Sequence, residues 1–95
     1  SMYFIVYAKD KPGHTQLRIE TRPDHVTWLK KSPVPVAGPL LAADNETMIG
    51  SMLIVEADSR ADVEALLPND PYAIVDLFES VEIHPWKWAI GSPAA

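Results

Sequence analysis

The segment Met2–Ala8, MYFIVYA, constrains the fold more than any other part of this chain. Its β-branched, aromatic and long apolar side chains fit a pleated strand. Alternate residues of a strand face opposite sides. Here one set is Met2, Phe4, Val6 and Ala8, the other is Tyr3, Ile5 and Tyr7, and neither carries a charge. Such a strand needs cover on both faces. Helices of the same chain can supply one cover, and the second must come from elsewhere.

The rest of the chain supplies those helices. Lys9–Gly13 reads as a turn. Thr15–Lys31 follows with helical periodicity, and Leu17, Thr21, Val26, Trp28 and Leu29 form its expected buried stripe. Pro23 either kinks this helix or opens a second segment. Val34–Leu41 and Met48–Ala57 read as a hairpin around Asp44-Asn45-Glu46. Pro35 and Pro39 make the first of these strands an edge or an irregular one. Ser59 caps a helix to Leu67, and Asp70-Pro71 pairs an N-cap with proline at the first turn of a short helix over 71–76. Phe78–Trp88 is the last strand. Val81 and Ile83 differ in parity from Trp86 and Trp88, which predicts a bulge or bend at His84-Pro85.

The order is β-α-β-β-α-β, with one short extra helix. This is an α+β, ferredoxin-like arrangement with helices on one face of an antiparallel sheet. With 95 residues the chain is expected to form one domain, 2–90, ahead of a tail over 91–95. Ser1, ahead of Met2, is set aside as a tag remnant. A chain this short buries only about 60–65% of its unfolded surface. Its composition is 47% hydrophobic, so association of two copies is the simplest outlet.

Charge and composition narrow the function. The formal net charge is −5 and the basic residues are scattered, which argues against nucleic acid and anionic membranes as partners. Without cysteine there is no disulfide scaffold, thiol nucleophile or thiolate metal site. No apolar run approaches the ~18 residues of a membrane-spanning helix, and no signal peptide is visible. A cytoplasmic location is the expectation. Phosphate-cradling loops and metalloprotease or hydrolase motifs are missing, so no metal and no cofactor is expected.

Three histidines remain. His14 and His84 read as surface residues. His25 lies on the first helix, one turn after Arg22 and two turns after Arg18. On periodicity alone these three form a solvated polar face. Asp70 has its own local explanation as a cap. A capping carboxylate stays anionic, and near His25 it would accept a ring N–H and set the tautomer, as an orienting carboxylate does for a base. Ser51, after Gly50, is more often strand filler than nucleophile.

The segments MYFIVYAKDKPG, RPDHVTWLK, VAGPLL, IGSMLIVEADS, NDPYAIVDLF and ESVEIHPWKW, in this order and spacing, resemble the YciI-like (YCII-related) family. The resemblance covers Met2–Trp88 and implies a dimeric α+β barrel, two ferredoxin-like subunits packed sheet to sheet. It implies an active-site pair, with His25 and Asp70 at the matching positions, and puts Ser51 on the same cavity. Dehydrochlorination of a hydroxylated aromatic is associated with the family, and related barrels include muconolactone isomerases. The expectation is a cofactor-independent acid–base enzyme (isomerase, lyase or dehydrohalogenase) on a small cyclic or aromatic metabolite. His25 and Asp70 would be its catalytic pair, and Ser51 and Tyr72 would bind substrate oxygens. Trp28, Phe78 and Trp86 are candidates for the pocket wall. A binding module without turnover and a purely structural dimer module stay open beside it.

Overall fold

A computed structural model describes residues 1–92, so part of the expected tail, 93–95, lies outside the described residues. The elements are β1 (Met2–Asp10), α1 (Thr15–Lys30), β2 (Val36–Leu41), β3 (Met48–Ala57), α2 (Arg60–Leu66), α3 (Pro71–Ile74) and β4 (Phe78–Trp86). A 3-10 turn, Leu67–Asn69, links α2 to α3. The sheet order is β2-β3-β1-β4 and every neighbouring pair is antiparallel. This is the α+β ferredoxin-like arrangement expected from the sequence.

The register explains the two apolar sets of β1. Phe4, Val6 and Ala8 are buried beneath the helices, and opposite them stand Val55, Leu53 and Ser51 of β3. Tyr3, Ile5 and Tyr7 point to the other face, with Met52 and Ile54 beside them. The main core joins Phe4, Val6, Leu53, Val55 and Val63. It lies on the helix side only, so the opposite face receives no helix of this chain.

Local chemistry sets the boundaries. β2 is an edge strand, where Pro39 is tolerated because it has no N–H to offer the ladder. Asn45 takes the left-handed conformation in the hairpin loop, and Asp44 accepts the backbone N–H groups of Glu46 and Thr47. The Ser59 side chain accepts from the Asp62 N–H and Asp70 from the Tyr72 N–H, so both expected caps are in use.

Several local expectations are corrected. Asp10 belongs to β1 rather than to the following turn. α1 runs unbroken through Pro23. α3 ends at Ile74, and β4 ends at Trp86. The register passes through His84-Pro85 without interruption, and the irregularity falls at the other end, between Lys9 and Asp10. The parity difference in β4 needs no bulge: Val81 and Ile83 lie on the helix side, whereas Trp86 lies opposite Tyr3 on the other face.

The largest departure concerns α1. Its buried residues are Arg18, Thr21 and His25, while Leu17, Val26, Trp28 and Leu29 are only half-buried. Two members of the supposed solvated stripe therefore face inward, and only Arg22 remains exposed. A helix that buries an arginine and a histidine needs partners for both. Those partners form the site.

Candidate active site

Four elements bring polar side chains together beside β1 and β3. Asp10 ends β1, Ser51 lies near the start of β3, Arg18 and His25 project from α1, and Asp70 and Tyr72 belong to the start of α3. Asp70 is held twice. Its Oδ1 accepts the Tyr72 backbone N–H at 2.9 Å and meets Nδ1 of His25 at 2.7 Å. The cap and the histidine contact are thus the same oxygen, and the two readings of Asp70 coexist. A carboxylate accepts only, so the shared proton sits on Nδ1, and in the neutral imidazole the lone pair is on Nε2. Nε2 has no hydrogen-bond partner among the described residues.

Arg18 is 2% exposed and completes a second buried pair. It grips Asp10 with two parallel bonds, Nε to Oδ2 at 2.6 Å and Nη2 to Oδ1 at 2.9 Å. This fork geometry is the strong form of the arginine–carboxylate contact. Nη2 also donates to Ser51 Oγ at 2.8 Å. Ser51 accepts there and keeps its own hydroxyl proton for another partner.

Tyr72 lies among these groups and is fully buried. Its ring stacks on the His25 ring, and the Arg18 guanidinium stands 4.4 Å from the ring centroid. Phe78 meets it edge-on. The hydroxyl has no hydrogen-bond partner among the described residues. Burial pushes the phenol above its usual pKa, against the opposing pull of Arg18 and Arg22. It therefore stays protonated and can donate.

Two cavities flank the cluster. One of about 220 Å³ lies between α1 and the β2–β3 strands, and Arg18, Arg22, His25, Ser51 and Tyr72 all line it. The other, about 550 Å³, lies over β1 and β4 and is walled mainly by apolar residues such as Val6, Leu53, Phe78 and Ile83, with Ser51 and Asp70 also on its lining. The imidazole borders the smaller cavity. That cavity therefore combines an imidazole with the Ser51 hydroxyl, and Tyr72 borders it with a hydroxyl oxygen that has almost no accessible surface. The described residues hold no cluster of three metal-ligating side chains, and no helix among them is long and apolar enough to cross a membrane.

All four site residues expected from the sequence, His25, Asp70, Ser51 and Tyr72, stand in this cluster. Sequence reasoning missed Asp10 and did not single out Arg18 as a site residue. Of the three aromatic wall candidates, Phe78 lines the larger cavity and Trp28 lies 6.0 Å from the His25 ring. Trp86 is on the opposite face of the sheet and walls neither cavity.

The YCII-related domain family matches residues 2–87. The chain belongs to that family. Among YCII-related proteins, Protein YciI of Escherichia coli O6:H1 is 30% identical over 95 residues, covering 90% of this chain and 97% of its own length. A solved structure of 5-chloro-2-hydroxyhydroquinone dehydrochlorinase (TftG) from Burkholderia phenoliruptrix AC1100, in complex with 2,5-dihydroxybenzoquinone, superimposes with a TM-score of 0.84 at 37% identity. The match covers 90% of this chain and 94% of TftG. Protein Atu4242 of Agrobacterium tumefaciens is 20% identical with a TM-score of 0.62 over 98% of both chains, and shares the fold.

Proposed function

We propose that this YCII-related protein is a cofactor-independent acid–base enzyme acting on a small cyclic or aromatic metabolite, as an isomerase, lyase or dehydrohalogenase. The observation that carries the reading is the 2.7 Å contact between His25 Nδ1 and Asp70 Oδ1 beside a cavity of about 220 Å³. Asp70 fixes the tautomer, and Nε2 is the base. It takes a proton from a hydroxyl group, or from a carbon beside a carbonyl. The electron pair left behind moves into the ring, where it expels a leaving group or is reprotonated at another carbon by the imidazolium. Ser51 donates a hydrogen bond to the oxygen on which negative charge develops, and Tyr72 holds the imidazole plane through its ring. The 37% identity to a dehydrochlorinase supports this class of chemistry.

Substrate screening with halogenated hydroquinones and small lactones tests the reading. General acid–base catalysis contributes about 10²–10⁴-fold, so His25→Gln should lose that much turnover while remaining folded. Asp70→Asn should lose the Nδ1–H tautomer, read from the imidazole ¹⁵N shifts. Full turnover in His25→Gln would exclude His25 as the base. A ligand that binds but emerges unchanged in every assay would favour a binding module instead.

We also infer a homodimer formed through the sheet face that no helix covers. Tyr3, Ile5, Tyr7 and Met52 supply its apolar surface. Light scattering should give twice the 10.5 kDa chain mass. A monomer at micromolar concentration would remove the dimer.

A further inference from the structure

The smaller cavity has an unusual charge balance. Arg18 is neutralised by its forked pair with Asp10 and has no charge left to offer a ligand. Asp70 holds the only carboxylate in contact with His25 among the described residues. Arg22 also lines the cavity, is exposed, and forms no ion pair among the described residues. Its charge is felt at the Tyr72 phenol, so it stands within electrostatic reach of that hydroxyl. The cavity thus has a free cation on its lining beside the His25 imidazole, whereas the Tyr72 hydroxyl has almost no accessible surface.

From this we infer that the site takes a small organic anion, bound with its charged group on Arg22 and its neutral end towards the His25 imidazole. The inference rests on the proposed active site and adds the charge class of its substrate. Size agrees with a single substituted ring. At about 30 Å³ per water, 220 Å³ corresponds to about seven waters. Arg22 follows Arg18 by four residues and precedes His25 by three, so one face of α1 presents the anchor and the base together. The ligand's charge is then held at one end while its reacting atoms lie nearer the imidazole.

The test uses a matched pair of probes, 4-hydroxybenzoate and neutral 4-hydroxybenzamide, titrated calorimetrically into the intact protein. The anion should bind about tenfold or more tightly, the worth of one charge-assisted contact. Arg22→Gln should erase that preference without changing the affinity for the amide, and Arg22→Lys should keep most of it. Equal affinities in the natural protein, a preference that survives Arg22→Gln, or failure of the benzoate to bind at millimolar concentration would each overturn the inference. His25→Asn separates this from the acid–base reading. The anion preference should persist in that variant even though turnover is lost, and if it vanishes there, His25 rather than Arg22 holds the charge and the assignment falls. Conversely, loss of the preference in the natural protein with His25-dependent turnover intact would remove the anion assignment alone.

Discussion

The ring of His25 lies nearly flat on the ring of Tyr72, with centroids 3.9 Å apart and planes 21° from parallel. The stack fixes the plane of the imidazole, while Asp70 fixes its direction through Nδ1. Tyr72 therefore contributes to the site through its ring, and its buried hydroxyl makes no hydrogen bond among the described residues. The two contributions can be separated. Tyr72→Phe keeps the stack and removes only the unsatisfied donor. Stability in urea at neutral pH should be unchanged or rise by about 1 kcal/mol, because an unmade buried hydrogen bond is lifted. A clear loss of stability would mean that the hydroxyl has a structural partner.

The Arg18–Asp10 pair should behave in the opposite way. Both side chains are almost wholly buried, at 2% and 6% exposure. Arg18→Met leaves the Asp10 carboxylate buried without its cation, and breaking a buried pair in this manner costs about 3–5 kcal/mol. Adding Asp10→Leu should recover much of the loss, since an apolar replacement of both partners is often neutral. The double-mutant cycle, followed by urea denaturation, measures the coupling. Two losses that simply add would show that the charges do not depend on each other.

The legibility of this arrangement in the sequence divides along physical lines. Strands, hairpin and caps rest on local rules. The alternation in β1, the Ser59 cap and the Asp70-Pro71 start of α3 are therefore plain from a few residues. The inward turn of α1 is different. Hydropathy counts Arg18 and His25 as surface residues, and they face inward only because Asp10 and Asp70 meet them. Asp70 is 45 residues from His25, and its local signal is fully explained by capping. The pair is legible only through the family resemblance. Asp10 escapes notice because a charge at a strand end looks like the first residue of a turn. The misplaced bulge has a similar origin: Trp86 faces Tyr3 on the helix-free side, and in sequence a change of burial looks like a change of register.

Gly50 gives a prediction that hydropathy could not. A Cβ at this position would press into the carbonyl oxygen of Ala8 on the neighbouring central strand. That oxygen is backbone and cannot swing away, so Gly50→Ala must part β1 from β3 beside Ser51. The expected cost exceeds the ~1 kcal/mol of a typical substitution and should reach about 2 kcal/mol or more. Gly38 on the edge strand is the control. A methyl group there would meet no atom within 4 Å, and Gly38→Ala should stay within about 0.5 kcal/mol of the natural chain. Equal effects of the two changes in urea would mean that β1 and β3 can separate locally without loss.

The raised pKa of Tyr72 fixes the sign of an alkaline effect. Burial is its main cause, and the folded chain holds the phenolic proton more tightly than the unfolded chain does. The contribution to stability is therefore complete below the ordinary phenol value of about 10, and it is lost as the pH rises past that value towards the higher folded one. The difference between the natural protein and Tyr72→Phe isolates Tyr72. Measured in urea from about pH 8 to 11, that difference should hold constant up to about pH 10 and move against the natural protein above it. Parallel curves across the whole range would mean that Tyr72 ionises alike in the folded and unfolded chains. The hydroxyl would then be in contact with water and would not be a buried donor.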